Sequence, residues 1–363
     1  MTMSPLLPFD ADALRAGVQA AVDTVIAQES AVLAGISPDL VPLTDALSAM
    51  MSGGKRFRPA FCYWGWRAAA SREDLLAHHA AVLEASSSLE FLQACALIHD
   101  DVMDGSDTRR GLPAVHRRFE SLHHDEHWVG TGVMFGIGSA ILLGDLCLSW
   151  ADQMFLMTAL PPASLSRAKT VFDVMRTELM AGQYLDLLEQ ARSNTSIDRA
   201  RTVVRYKSAK YTIERPLHLG AALAGASDAV VSAYTDFGLA LGEAFQLRDD
   251  LLGVFGDPAQ TGKPAGDDLR EGKRTVLVAL AFERATGAQR ELLSRQLGNS
   301  ALSSAEVDEI REILMSTEAL TATEELIQTQ TAAAMSALDA APISAEGRAA
   351  LAELVDAVTR RAK

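Results

Sequence analysis

Asp100, Asp101, Asp104 and Asp107 crowd into the stretch LIHDDVMDGSDTRRG, and Arg109 and Arg110 follow them directly. In a helix, Asp100 and Asp104 stand one turn apart on one face with Asp101 beside them, a spacing at which like charges repel by a few tenths of a kcal/mol. The flanking LQACALI and the intervening VM are apolar. The carboxylates therefore leave a half-buried wall, where an unneutralised charge is far more costly than at a surface. A hard cation resolves the conflict. Clustered carboxylate oxygens favour Mg²⁺, which keeps several waters and is shared with substrate phosphates. Standing alone, the cluster would read more readily as a solvated acidic helix end.

A second acidic stretch, GEAFQLRDDLLGVFGDP, repeats the pattern much later in the chain. At helical spacing Gly242, Gln246, Asp249, Asp250 and Gly253 share a face, with Leu241, Phe245, Leu251 and Leu252 on apolar flanks. Two acidic helices facing one another across a bundle suit divalent ions that bridge a polyphosphate. Basic residues come in tight groups: Lys55, Arg56 and Arg58 in GGKRFRP, Arg109 and Arg110 in TRRG, Lys207 and Lys210 in YKSAK, and Lys263 and Lys273 in TGKPAGDDLREGKRT. Each alone reads as a solvated charge. Together, beside apolar helices, they suggest two diphosphate pockets.

The elements that must hold these groups are helices. Apolar residues recur at helical spacing along nearly the whole chain, and Asn-Gly hairpin turns and alternating β-branched runs are absent, so the fold class is all-α. Breaks fall at Ser52-Gly53-Gly54, Gly105, Gly111-Leu112-Pro113, Pro161-Pro162, Gly256-Asp257-Pro258 and Pro342. Capping boxes mark starts at Ser303 with Glu306 and at Thr321 with Glu324. A chain of 363 residues with a net charge of −14 can fold as one large helical domain, and its charge argues against a nucleic-acid or anionic-membrane binder. Cys62, Cys95 and Cys147 lie far apart in apolar settings, without zinc or disulfide spacing, which points to a reducing, cytoplasmic compartment. The first residues lack the pattern of a secretion signal. VGTGVMFGIGSAILLG, Val129 to Gly144, is shorter than the roughly 20 residues of a membrane span and is followed by Asp145, so it is expected to be a buried helix rather than a transmembrane segment.

The chain resembles the trans-isoprenyl diphosphate synthases over roughly Leu43 to Lys363, with GGKRFRP, LIHDDVMD, TRRG, GSAILLGD, GQYLD, KSA, GEAFQLRDDLLG and GKPAGDDLREGK in the family's order. FQLRDDLLGVFGDP and KSAKYTIERP look most like the geranylgeranyl-type synthases of actinobacteria. The resemblance implies a single isoprenoid-synthase bundle with a central cavity, residues 43–363 as the catalytic domain and 1–42 as a variable helical segment, and a homodimer. It also implies isopentenyl and allylic diphosphates as substrates, bound with about three Mg²⁺ ions.

Position by position, the resemblance assigns Mg²⁺ to Asp100, Asp104 and Asp249, supported by Asp101 and Asp250. Arg109 and Lys207, helped by Lys263, would hold the allylic diphosphate, Lys55, Arg56, Arg58, Gln93 and Arg110 isopentenyl diphosphate, and Lys273 would join in substrate binding. Ser208 and Gln246 would polarise the leaving group or steady the cation, with Gln183 and Asp186 lining the cleft. His99 is expected to pack rather than to act as a base. Cys95, Ala96 and Leu92, successive levels below Asp100, would set product length with help from Phe91. Small residues at 95 and 96 favour a geranylgeranyl product, with longer chains or farnesyl as alternatives. Three departures stand out: Gly253 where the family commonly has a third aspartate, Gln93 for histidine and Ser208 for threonine. We expect Gly253 to be a tolerated change, and a carboxylate restored there to have modest effect. A class I terpene cyclase would carry a different metal triad in place of DDLLG, and a non-catalytic partner subunit would have lost aspartates or paired arginines.

Overall fold

The computed structural model describes residues 11–192, 195–257 and 266–359. Helices dominate them, joined by one short hairpin of β1 (Thr108–Arg109) and β2 (Leu112–Pro113). In chain order the helices that matter here are α1 (Ala11–Ile36), α2 (Val41–Met51), α3 (Phe57–Ala69), α4 (Arg72–Asp104), α5 (Val115–Asp125), α6 (Gly132–Leu156), α7 (Pro162–Ala191), α8 (Ile197–Val203), α9 (Arg215–Ala224), α10 (Asp228–Phe255) and α11 (Asp267–Glu271). Further helices follow up to Thr359. The all-α expectation holds.

The chain divides into two compact units. The first comprises Met1–Val102, Leu112–Thr170 and Pro216–Ser227; the second comprises Met103–Gly111, Val171–Arg215 and Asp228–Lys363. The boundary falls inside α4, so Asp100 and Asp101 belong to the first unit and Asp104 to the second. The first unit's core gathers Val18, Leu47, Phe61, Trp66, Leu89, Phe91, Leu92, Leu143 and Phe155, all buried. Phe91 meets Trp150 edge to face with ring centroids 6.3 Å apart, a geometry favoured by the aromatic quadrupole. The second unit's core runs through Leu247, Leu251, Val254, Leu277, Ile310, Leu314 and Ile327.

Three local features depart from the sequence reading. Val129 to Gly144 is not one buried helix: α6 begins only at Gly132, and Val129, Met134 and Leu142 are 97%, 64% and 63% exposed. Alpha-helical length and apolar composition would allow both α4 and α6 to cross a membrane, but the most apolar window is 72% buried in α4 and 33% buried in α6. The Ser303/Glu306 capping box forms as expected. Thr321/Glu324 does not start a helix, because that helix already begins at Ala319 and Glu324 instead pairs with Arg248 at 2.6 and 2.7 Å. Finally, Val204–Glu214 winds as a π-helix of 11 residues. Such windings are rare and gather at functional positions. It passes two glycines at close range: a Cβ on Gly182 would lie 2.4 Å from the Lys207 nitrogen, and one on Gly242 2.5 Å from the Ala209 Cα.

Candidate active site

The GGKRFRP loop enters α3 through Arg56, whose left-handed φ of 53° makes it the N-cap. That conformation is uncommon for a side chain with a Cβ. Arg56 is 5% exposed. It donates to the Glu90 carboxylate of α4, to Gln19 Oε1 of α1 and to the Met51 carbonyl, the last two at 2.5 Å. Gln19 also accepts from the Gly53 amide at 3.3 Å. This corrects the grouping of Arg56 with the substrate-facing cations: its donors are committed to a buried network that sets the loop. Lys55 is exposed beside it, 5.8 Å from the Phe57 ring, and Arg58 is half-buried.

On α4, Gln93 is half-buried, Asp100 is half-buried and Asp101 is 1% exposed. Cys95 and Leu92 are fully enclosed, while Ala96 keeps partial exposure. Burial, reinforced by the Asp145 charge, pushes the Cys95 thiol up to about 12. His99 packs as expected, its Nε2 3.1 Å from the Ile141 carbonyl and its Nδ1 3.7 Å from the Cys95 sulfur. Beyond α4, Arg109 is half-buried and Arg110 exposed.

The second unit draws several of the remaining candidates together. Lys207, on the π-helix, donates to Asp186 of α7 at 2.6 Å. Gln183 and Ser208 are half-buried on the same two elements. One turn along, Lys210 and Arg215 both grip Glu178 at 2.6 Å. Burial works against ionisation of Glu178, yet hydrogen bonds from Arg215 and Lys210 hold it below the usual carboxylate range. On α10, Asp249 is exposed and Asp250 buried, with Gln246 Nε2 donating to Asp250 Oδ1 at 2.7 Å. Lys273 Nζ sits 2.7 Å from Glu271, 3.3 Å from Asp268 and 3.4 Å from Asp104. Ser106 donates to Glu271 at 2.6 Å, which fastens the segment after α4 to α11. Lys263 lies outside the described residues.

These groups fit a hard divalent cation. The donors are carboxylates, the Asp104 side chain is wholly enclosed, and an ammonium already occupies a point among Asp104, Asp268 and Glu271. Asp250 Oδ2 is buried without a hydrogen-bond partner. Burial first, then the neighbouring charges of Asp268 and Asp249, raises its carboxyl to about 8. A cation would replace that proton and satisfy the oxygen. Among the described residues, no three His, Cys, Asp or Glu side chains are already arranged around a common ion position.

Sequence reasoning passed over four residues that the geometry brings forward. Asp268 and Glu271 lay inside GDDLREGK, where only Lys273 stood out. Glu90 sat in an apolar run, the one place where a carboxylate demands a partner. Glu178 had no motif around it.

Comparison with known proteins shows the family and the fold. The polyprenyl synthetase family model matches residues 41–314. The geranylgeranyl diphosphate synthase of Mycobacterium tuberculosis is 34% identical over 265 residues, 73% of this chain and 69% of that protein. The enzyme of the same name from Sulfolobus acidocaldarius is 31% identical over 275 residues, covering 75% and 76%. The crystal structure of geranylgeranyl pyrophosphate synthase from Corynebacterium glutamicum, complexed with isoprenyl diphosphate and magnesium, superposes with a TM-score of 0.93 at 40% identity, covering 98% of this chain and 100% of that one. With most of its length matched by the family model and its fold shared with a solved member, the chain belongs to the polyprenyl synthetase family.

Proposed function

We propose that this protein is a Mg²⁺-dependent trans-prenyltransferase that condenses isopentenyl diphosphate with an allylic diphosphate to make geranylgeranyl diphosphate. The observation that carries the reading is the packing of Asp104, Asp268 and Glu271 round one lysine, in the same unit as the buried, half-satisfied Asp250. Asp100, Asp104 and Asp249 hold Mg²⁺, with Asp101 and Asp250 in support and about three ions per site. When bound, the ions stabilise negative charge on the departing diphosphate.

The chain's own residues do the rest. Lys207, Arg109, Lys263 and Lys273 hold the allylic diphosphate as its C–O bond breaks and the electron pair leaves with oxygen. Asp186 keeps the Lys207 ammonium in place, and Gln246 and Ser208 present polar groups toward the developing cation. Lys55, Arg58, Arg110 and Gln93 hold isopentenyl diphosphate so that its double bond attacks the cation and forms the new C–C bond. The released diphosphate accepts the proton that is then lost. Gln183 completes the lining. Release of inorganic diphosphate from geranyl diphosphate should require both isopentenyl diphosphate and Mg²⁺, and chelation should abolish it. Release that persisted without isopentenyl diphosphate would favour a cyclase instead.

Product length gives a second expected result. One helical turn rises about 5.4 Å, close to one isoprene unit, so bulk below Asp100 sets where elongation stops. Cys95 is fully enclosed and Ala96 is not. Phe at Cys95 overpacks a filled site at about 1–3 kcal/mol, and the same change at Ala96 meets less resistance. Both Cys95→Phe and Ala96→Phe should shift the main product to farnesyl diphosphate, Ala96→Phe with the smaller loss of thermal stability. Leu92→Ala should admit longer chains while losing about 2–5 kcal/mol from the core. Chromatography of the dephosphorylated products reads the shift, and an unaltered distribution in an active Ala96→Phe variant would place the floor elsewhere.

Residues 43–363 form the catalytic domain and 1–42 a variable N-terminal helical segment, of which Val18 joins the first unit's core and Gln19 the Arg56 network. The enzyme works as a homodimer in the cytoplasm. Support for the dimer comes from the uncovered apolar side chains of Met134, Ile141 and Leu142 on α6, the kind of exposed apolar surface that a partner covers. Support for the compartment comes from three buried free thiols. Leu142→Glu should convert the dimer to a monomer by light scattering, and an unchanged mass would remove α6 from the interface.

A further inference from the structure

Asp100 and Asp104 stand one turn apart on α4, and the corresponding pair on α10 is Asp249 and Gly253, so the second pair lacks a carboxylate at its second position. The space above Gly253 is nevertheless filled. A Cβ built there would meet Asp268 Oδ2 at 1.8 Å, its carboxyl carbon at 2.6 Å and Oδ1 at 3.3 Å. The intruding group belongs to α11, and it is a carboxylate rather than a packing side chain. Asp268 is also tied to the first acidic stretch, since Lys273 Nζ lies 3.3 Å from Asp268 and 3.4 Å from Asp104. Asp250 points to a missing ligand independently. It is 5% exposed, Gln246 satisfies Oδ1, and Oδ2 has no hydrogen-bond partner.

Accepting the metal-dependent reading above, we infer that Asp268 supplies in trans, from α11, the carboxylate that α10 lacks at Gly253, and that the two positions form one ligand site for the divalent cation held by Asp249 and Asp250. Glycine at 253 is then a requirement of this site rather than a loss: it clears the volume that the Asp268 carboxylate enters. An aspartate at 253 would have to displace the Asp268 carboxylate and would add a like charge beside Asp249 and Asp250, so on this inference its effect exceeds the modest one expected from the sequence.

The test measures Mn²⁺ binding to the full chain with inorganic diphosphate present, by calorimetry or by the loss of the free Mn²⁺ resonance, alongside turnover with Mg²⁺. Asp268→Asn, which keeps shape and removes charge, should weaken Mn²⁺ binding about 10- to 100-fold, the range typical when a group supporting a metal is removed. Gly253→Asp alone should also weaken it. The relocated pair Gly253→Asp with Asp268→Gly should recover much of the affinity lost in Asp268→Asn. If Asp268→Asn binds Mn²⁺ as the parent does while Asp249→Asn does not, the inference falls and the metal site stands. If Asp249→Asn also binds unchanged, the metal-dependent reading falls with it. Failure of the relocated pair to bind better than Asp268→Asn, in a protein with parental circular dichroism, would also overturn the shared-site inference.

Discussion

Asp104→Ala should lower turnover by at least ~10²-fold, the scale on which loss of a single preorganised electrostatic contact acts. The Asp104 side chain is wholly enclosed and stands 3.4 Å from Lys273, which also meets Asp268 and Glu271. Removing it subtracts a carboxylate from the metal position and leaves Lys273 drawn toward the two that remain. Asp100→Ala, one helical turn earlier, should show a loss of similar size. The exposed Asp107 serves as the control, since Asp107→Asn should stay within a few-fold of the parent. Steady-state kinetics at saturating Mg²⁺ decides the matter. A near-normal rate in either Asp100→Ala or Asp104→Ala would remove that carboxylate from the reaction.

The largest effect on stability should come from Glu90. Arg56 is 5% exposed and Glu90 6%, and the guanidinium is held by Glu90, Gln19 and Met51. Glu90→Ala leaves a buried guanidinium without its counter-charge, a change that typically costs about 3–5 kcal/mol. Because Arg56 caps α3 and Lys55 and Arg58 flank it, the variant should also bind isopentenyl diphosphate more weakly. The double variant Arg56→Leu/Glu90→Leu removes both charges together and should recover much of the lost stability. Thermal unfolding of the three proteins tests this: equal melting midpoints for Glu90→Ala and the parent would contradict the buried pair, and a double variant no better than the single would contradict its ionic basis.

Much of the fold was legible because it rests on local signals. Helical spacing of apolar residues gave the all-α class, and the Ser303/Glu306 box forms where the sequence placed it. The acidic and basic stretches were legible as chemistry because their charges lie in apolar surroundings. Long-range partners were not. Gln19, Met51 and Glu90 converge on Arg56 from α1, α2 and α4, and nothing in GGKRFRP distinguishes that arginine from its neighbours. Asp268 reaches Gly253 from a separate helix, so the gap in DDLLG looked like a loss when only α10 was considered. The π-helix was hidden for a similar reason: Gly182 and Gly242 admit its wide backbone from other helices, and no local propensity announces it. At α6, apolarity suggested burial, but hydrophobicity alone does not say whether the same chain or a second one covers the surface.

The decisive measurement is product chromatography after one incubation of the purified protein with farnesyl diphosphate, labelled isopentenyl diphosphate and Mg²⁺. A synthase of the kind proposed yields labelled geranylgeranyl diphosphate as the main product, and yields none when isopentenyl diphosphate or Mg²⁺ is withheld. A cyclised, diphosphate-free hydrocarbon formed from farnesyl diphosphate alone, or no turnover of either substrate by folded protein, would contradict the assignment.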